Sequence, residues 1–143
     1  MRKVYVALVL AAIAAGSIPA SAVASNAAIV IAFEKEGSQG HYVGTTEDGG
    51  TIEMVITQSR VAGDVQHFTA TLWLSYPDNR SLRAILDGRL DGNTGEVSLN
   101  GSVVDGWLQG ARVHEESRLV DFDPETGVAT FVGTVQLMPG SAG

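Results

Sequence analysis

The stretch VQHFTATLWLSY, residues 65–76, shows the clearest periodicity in the chain and decides the fold class. Its apolar face comprises Phe68, Ala70, Leu72, Leu74 and Tyr76. Its other face comprises His67, Thr69, Thr71, Trp73 and Ser75. Side chains alternate between the two faces of a β-strand, so this pattern predicts a long strand with one buried face.

Similar strand patterns extend in both directions from this stretch, and turn residues separate them. Pro77-Asp78-Asn79-Arg80 follows it, and Glu47-Asp48-Gly49-Gly50 lies upstream; both are typical of turns. No convincing helical period occurs after residue 24. About eight strands are therefore predicted. They are Ala28–Phe33, His41–Thr46, Thr51–Ser59, Val65–Tyr76, Leu82–Leu90, Val97–Val104, Trp107–Asp121 and Val128–Met138.

A partial repeat links two of the turns to the strands that follow them. The pattern Asp-x-x-Thr-Gly-x-x-x-(Leu/Phe)-x-Gly-(Ser/Thr)-Val begins at Asp91 and again at Asp123. The first half of the pattern is typical of a hairpin loop, in which Asp accepts backbone N–H bonds and Gly takes a positive φ. Its second glycine, Gly101 or Gly133, falls in mid-strand, where glycine often marks a barrel corner.

These features predict a single antiparallel up-and-down β-barrel of about eight strands. Closing the sheet removes its two free edges, and the mid-strand glycines favour closure. The alternative is a two-sheet β-sandwich built from the same strands. In outline the predicted barrel resembles lipocalin-type and allene-oxide-cyclase-type barrels, and this likeness of architecture does not by itself imply a function.

The first 24 residues predict a cleaved signal peptide, followed by a secreted or periplasmic domain over residues 25–143. Arg2 and Lys3 precede an apolar run over residues 4–15, and small side chains at Ala22 and Ala24 suit signal peptidase. The run is too short to span a bilayer, which requires about 20 residues. We therefore expect no membrane anchor in the mature chain, and the sequence leaves its oligomeric state open.

The composition of the mature chain excludes several functional classes. Without Arg2 and Lys3, seven basic residues face sixteen acidic residues, a net charge of −9. A surface of this charge repels phosphate backbones, so nucleic acid is not an expected partner. The chain contains no cysteine, which excludes disulfides and cysteine-type zinc sites.

Six residues are candidates for ligand contact. Aromatic side chains near a barrel mouth can hold a ligand, whereas histidine and arginine can steer a polar group. The candidates are Trp73, Tyr76, Trp107, His67, Arg83 and His114. The alternative is that the tryptophans are ordinary core or plug a barrel end, and that the histidines are isolated.

No motif for a catalytic nucleophile, a phosphate or a zinc ion is present, so we predict neither a metal nor a cofactor. Asp121, Asp123 and Glu125 could offer oxygen ligands to Ca²⁺. However, the EF-hand pattern is missing, and hairpin chemistry is sufficient to explain these residues.

The sequence thus favours a non-catalytic barrel that binds a small apolar or mixed-polarity molecule. The expected lumen lining is Ile52, Met54, Ile56, Phe68, Leu72, Leu74, Leu82, Leu86, Leu99 and Phe131. An alternative is a cyclase or isomerase, which requires at least two of His67, Arg83, Tyr76 and His114 to share one pocket. Another alternative is an envelope interaction module, which requires Trp73 and Trp107 to form one exposed apolar patch.

Overall fold

The computed structural model describes residues 27–139, and these form one closed antiparallel barrel. Each strand pairs with the next, and β8 pairs with β1 to close the sheet. The strands are β1 (Ile29–Ser38), β2 (His41–Thr46), β3 (Thr51–Ala62), β4 (Val65–Ser75), β5 (Ser81–Asp91), β6 (Glu96–Gly106), β7 (Arg112–Phe122) and β8 (Ala129–Met138). The predicted all-β barrel is confirmed, and the sandwich alternative is wrong. The predicted signal peptide, residues 1–24, lies outside the described residues.

Two predicted strand boundaries are each wrong by five residues. The first strand continues to Ser38 instead of ending at Phe33, because its charged residues pair with β2 on one side and with β8 on the other. Trp107 does not open a strand. It lies in a turn between β6 and β7, where Gly106 and Gly110 have φ angles of 90° and 92° and Gln109 N–H donates to the Gly106 carbonyl at 3.2 Å.

The interior of the barrel contains the apolar face of almost every strand. Alternation places these side chains inward, and burying them removes apolar surface from water. The apolar face predicted for residues 65–76 is buried, with Leu72 and Leu74 fully enclosed. Phe33, Leu86 and Leu99 are also fully enclosed. This part of the lumen is a packed core.

The repeated pattern forms two equivalent hairpins at the same end of the barrel. In each, the Asp carboxylate accepts the N–H two residues later, at 2.8 Å for Asp91 and 2.9 Å for Asp123. The Asp carbonyl then accepts the N–H of Gly95 or Gly127, at 2.8 and 2.7 Å. Both glycines have a positive φ, 77° and 76°, so the predicted hairpin chemistry is confirmed.

The two ends of the barrel differ in the side chains that fill them. We call the end with the β2–β3, β4–β5 and β6–β7 connections the plugged end, because Tyr76 and Trp107 pack there against the core. We call the opposite end, with the β1–β2, β3–β4, β5–β6 and β7–β8 hairpins, the mouth end. Because hairpin connections alternate between the two ends, the two repeated hairpins both belong to the mouth end.

Candidate functional site

A cavity of about 390 Å³ occupies the lumen toward the mouth end. Its apolar lining includes Tyr42, Met54, Ile56, Phe68, Leu90 and Phe131. Its polar lining includes Lys35, Gln39, Ser59, Gln66 and Ser117. The volume lies within the range of small-molecule sites, and a mainly apolar wall with a few polar groups is typical of them.

Three local features of the sheet shape this space. Strand β3 carries a bulge between Ile56 and Gln58, which changes the register against β4. Tyr42 on β2 stands edge-on to Phe131 on β8, with ring centroids 5.6 Å apart, and the two rings form one wall. Strand β7 contributes the small side chain of Ser117, which pairs with Gly133 of β8. The cavity therefore results from the strand register and the side chains of the sheet itself.

The predicted lumen lining divides into two groups. Met54, Ile56, Phe68 and Phe131 line the cavity. The other six are packed core residues and do not line it: Ile52, Leu72, Leu74, Leu82, Leu86 and Leu99. The sequence pattern identifies inward-facing residues, but it does not separate those around a void from those in a solid core.

A buried ion pair lies at the inner side of the cavity. Lys35 Nζ is 2.7 Å from Glu115 Oε2, and the two side chains are only 4% and 0% exposed. Lys35 Nζ also lies 3.4 Å from Met54 Sδ and 4.9 Å from the ring centroid of Phe33. Ser117 Oγ donates to the same Glu115 oxygen at 3.3 Å. The pair places a neutral but strongly polar centre in an otherwise apolar barrel.

The second carboxylate oxygen of this pair, Glu115 Oε1, is buried and has no hydrogen-bond partner among the described residues. A buried carboxylate oxygen without a donor costs free energy, of the order of 1–3 kcal/mol or more for a charged group. Such an unpaired group is rare in protein interiors and calls for an explanation. A hydrogen-bond donor placed beside Glu115 Oε1 would therefore be stabilised.

The sequence interpretation did not single out Lys35 or Glu115, although a signal was present. Lys35 continues the alternation of Ile31 and Phe33, which places it on the inward face once β1 is allowed to run on. Glu115 likewise alternates with Val113 and Ser117 on β7. Lys35 is the only lysine after Lys3, and a lone lysine in register with an apolar face would have indicated a buried amine.

Two of the six predicted site residues, Tyr76 and Trp107, meet at the plugged end. Their ring centroids are 6.0 Å apart and edge-to-face, and the Arg80 guanidinium lies 4.6 and 4.9 Å from them. Tyr76 donates its hydroxyl hydrogen to Asp48 Oδ2 at 3.1 Å. Neither ring lines the cavity, so these aromatic residues close one end of the barrel.

The titration of Tyr76 tests whether this residue stabilises the plugged end of the barrel. Burial, followed by the nearby Asp48 charge, raises the pKa of Tyr76 to about 12. The folded state keeps the phenol proton after the unfolded chain has lost it near pH 10, so the free energy of unfolding should fall as the pH rises from about 10 through 12. Urea unfolding at about pH 9 and about pH 12 should show a smaller decrease for Tyr76→Phe than for the parent chain. Equal decreases would contradict the contribution of Tyr76.

The other four predicted residues lie on the outer wall, and of these only Trp73 and Arg83 are cross-strand neighbours. Trp73 is half-buried between Glu53 and Arg83 of the neighbouring strands. Arg83 is exposed. His114 is held between Asn100 Oδ1 and Glu116 Oε2, both at 2.8 Å.

His67 lines a separate outer groove of about 520 Å³ with Arg60, Asp87 and Arg89. Outward-facing polar side chains form much of this groove. The mainly apolar lumen cavity is therefore the better candidate for binding a small molecule.

The described residues 27–139 hold no group of three or more His, Cys, Asp or Glu residues suited to a metal ion. Asp123, one of the considered calcium ligands, accepts a backbone N–H in its hairpin turn. In the same range, no helix has the length and apolar character needed to cross a membrane.

Comparison with protein-family models, with curated proteins and with solved structures found no match to this chain. The function therefore has to be inferred from the cavity and from the groups that line it.

Proposed function

We propose that this barrel binds a small organic molecule of mixed polarity in the lumen cavity and releases it unchanged. The observation that carries the proposal is the cavity of about 390 Å³, lined by aromatic and aliphatic side chains and reaching Lys35. Burial of a ligand's apolar body against Tyr42, Phe68 and Phe131 would supply most of the binding free energy. A few polar groups would fix its orientation.

The charges around the cavity favour an uncharged ligand. The Lys35 ammonium is already neutralised by Glu115 at 2.7 Å. An anionic ligand would meet the Glu115 carboxylate, and a cationic one would meet Lys35, in surroundings that screen charge poorly. A neutral polar group, by contrast, can exchange hydrogen bonds with Lys35 and Ser117 without adding a buried charge.

The geometry supports this function over the two alternatives. A cyclase or isomerase built on His67, Arg83, Tyr76 and His114 would need two of them in one cavity, and the lumen cavity contains none of the four. An interaction surface built on the tryptophans would need Trp73 and Trp107 in one exposed patch. Trp107 instead packs with Tyr76 against the core, while Trp73 lies half-buried on the outer wall.

We also propose that the barrel works outside the cytosol, in the periplasm or as a secreted protein. The support is the signal-peptide pattern of residues 1–24. A binding protein in that setting would capture or carry its ligand in the surrounding fluid. Fractionation of the native host, with detection of the mature chain beginning near residue 25, tests this location.

Filling the cavity should weaken ligand binding while leaving the barrel folded. Leu90→Trp adds an indole at a half-buried position of the cavity wall. We expect it to weaken binding of the apolar dye N-phenyl-1-naphthylamine at least about tenfold, since it removes the space the dye needs. Dye fluorescence measures the Kd. Ile85→Trp is the matched control, because Ile85 lies on the same strand but is 42% exposed on the outer face.

A parent chain that leaves the dye fluorescence unchanged would count against the proposal, as would equal weakening by both variants. Native mass spectrometry of the protein purified from its own host then addresses the natural ligand. A bound mass that Leu90→Trp fails to retain would identify its chemical class.

A further inference from the structure

We propose that Lys35 captures small aldehydes in the lumen as a reversible imine, an inference that rests on the proposed binding function and names its ligand class. Lys35 lines the cavity, and its side chain is only 4% exposed, so the amine is shielded from bulk water beside that space. Solubility does not require a buried lysine, and an apolar residue would fill this position at lower cost. The position of the amine is therefore suited to chemistry on a cavity ligand.

Glu115 supplies the proton acceptor that imine formation requires. An amine attacks a carbonyl carbon only in its neutral form, so the ammonium must first lose a proton. Glu115 Oε2, 2.7 Å from Lys35 Nζ, is within proton-transfer distance. The pair thus combines a nucleophile with an adjacent acid–base group inside one apolar site.

The steps balance without an oxidant or a reductant. Lys35 transfers a proton to Glu115, and the neutral nitrogen forms a C–N bond to the carbonyl carbon as the π bond of the carbonyl breaks. The oxygen then takes the proton that the attacking nitrogen loses, so Glu115 stays protonated. The carbinolamine then loses its hydroxyl as water, with Glu115 as the proton source, and the C–O bond breaks. One aldehyde and one ammonium become one protonated imine and one water. The protonated imine keeps the same charge as the ammonium and stays paired with Glu115.

The orphan oxygen of Glu115 fits this sequence of states. Glu115 Oε1 lacks a donor among the described residues. The carbinolamine carries a new hydroxyl, which is a hydrogen-bond donor that the free aldehyde does not have. In the proposed sequence of steps this hydroxyl donates to Glu115 Oε1.

The cavity wall indicates what kind of chain the aldehyde carries on its carbonyl group. Tyr42, Ile56, Phe68 and Phe131 offer apolar contact between the amine and the mouth end. A short aliphatic or aromatic aldehyde buries its chain against them, whereas a charged aldehyde would have to leave its hydration shell. The ligand class is therefore an uncharged aldehyde with an apolar body.

Reductive trapping tests the proposal, because hydride from cyanoborohydride converts the imine to a stable secondary amine. The full chain is incubated with hexanal, cyanoborohydride and Nα-acetyl-lysine as an internal reference, and peptide mapping assigns the adduct, since the only other lysine is Lys3. Lys35 should react at least about tenfold faster than the reference, because binding holds the aldehyde beside the amine. The advantage should vanish in guanidinium chloride and with the anionic aldehyde glyoxylate. Leu90→Trp should slow trapping about tenfold, and Ile85→Trp should not.

Hexan-1-ol separates this inference from the proposed function. It has the same chain length as hexanal but no carbonyl group, so its displacement of N-phenyl-1-naphthylamine reports binding alone. If hexan-1-ol displaces the dye while Lys35 reacts no faster than Nα-acetyl-lysine, the lumen binds ligands and the imine proposal is overturned. If there is neither displacement nor trapping, both proposals fail.

Discussion

Glu115→Leu should lower the free energy of unfolding by about 3–5 kcal/mol. The substitution leaves the Lys35 ammonium buried in an apolar lumen without its counterion at 2.7 Å. Removing one partner of a buried pair is costly because the remaining charge has no compensation. Urea unfolding followed by circular dichroism, extrapolated to zero denaturant, measures the change.

The double variant Lys35→Met with Glu115→Leu distinguishes this explanation from a simple loss of packing. Replacing both charges by apolar side chains removes the uncompensated charge, so stability should return to within about 1 kcal/mol of the parent chain or exceed it. Glu116→Leu is the matched single control. Glu116 neighbours Glu115 but is exposed, and its contact with His114 at 2.8 Å should contribute less than about 1 kcal/mol. A double variant as unstable as Glu115→Leu would overturn the explanation.

Gly101→Ala should destabilise the barrel by about 3 kcal/mol or more. A Cβ at Gly101 would overlap the carbonyl oxygen of Ile85 and come within 2.9 Å of the Leu86 Cα, both on the adjacent strand. These are backbone atoms, so relief requires β5 and β6 to move apart, which disturbs their pairing. Thermal and urea unfolding should both show the loss.

Ser102→Ala controls for a general effect of alanine in β6. Ser102 is the next residue along the strand and is exposed, so we expect a change within about 0.5 kcal/mol. Gly133→Ala should behave like Gly101→Ala, because its Cβ would overlap the carbonyl oxygen of Glu116 in the same way. If alanine is tolerated at both glycines, the adjacent strands can move apart more easily than the close approach of their backbones indicates.

Most of the strand framework could be predicted because strand signals are local. Alternation over residues 65–76 and turn chemistry at Asp91 and Asp123 depend only on neighbouring residues, and both were confirmed. The errors occurred where tertiary contacts overrode local composition. Charged residues after Phe33 resembled a loop until pairing with β2 and β8 held them extended.

The candidate site was harder to predict, because its members are distant in sequence. Lys35 and Glu115 are 80 residues apart and meet only because β1 and β7 both flank β8 in the closed sheet. Tyr76, His67 and Arg83 were chosen for their chemistry, and the structure places them at the plugged end or on the outer wall. The side of the barrel that a polar residue faces depends on its position in the strand. It therefore cannot be assigned from residue type before the strand limits are known.

The sequence was sufficient to predict most of the strands, the repeated hairpins and the apolar face that fills the barrel. Each of these depends on residues that are close together in the chain. Closure of the sheet was favoured by the sequence and established by the pairing of β8 with β1. The limit between packed core and cavity, and the pairing of Lys35 with Glu115 beside it, follow from the way the strands close around one another. Packing volume and the pairing of buried charges depend on all eight strands together, whereas the alternation of side chains depends on a single strand.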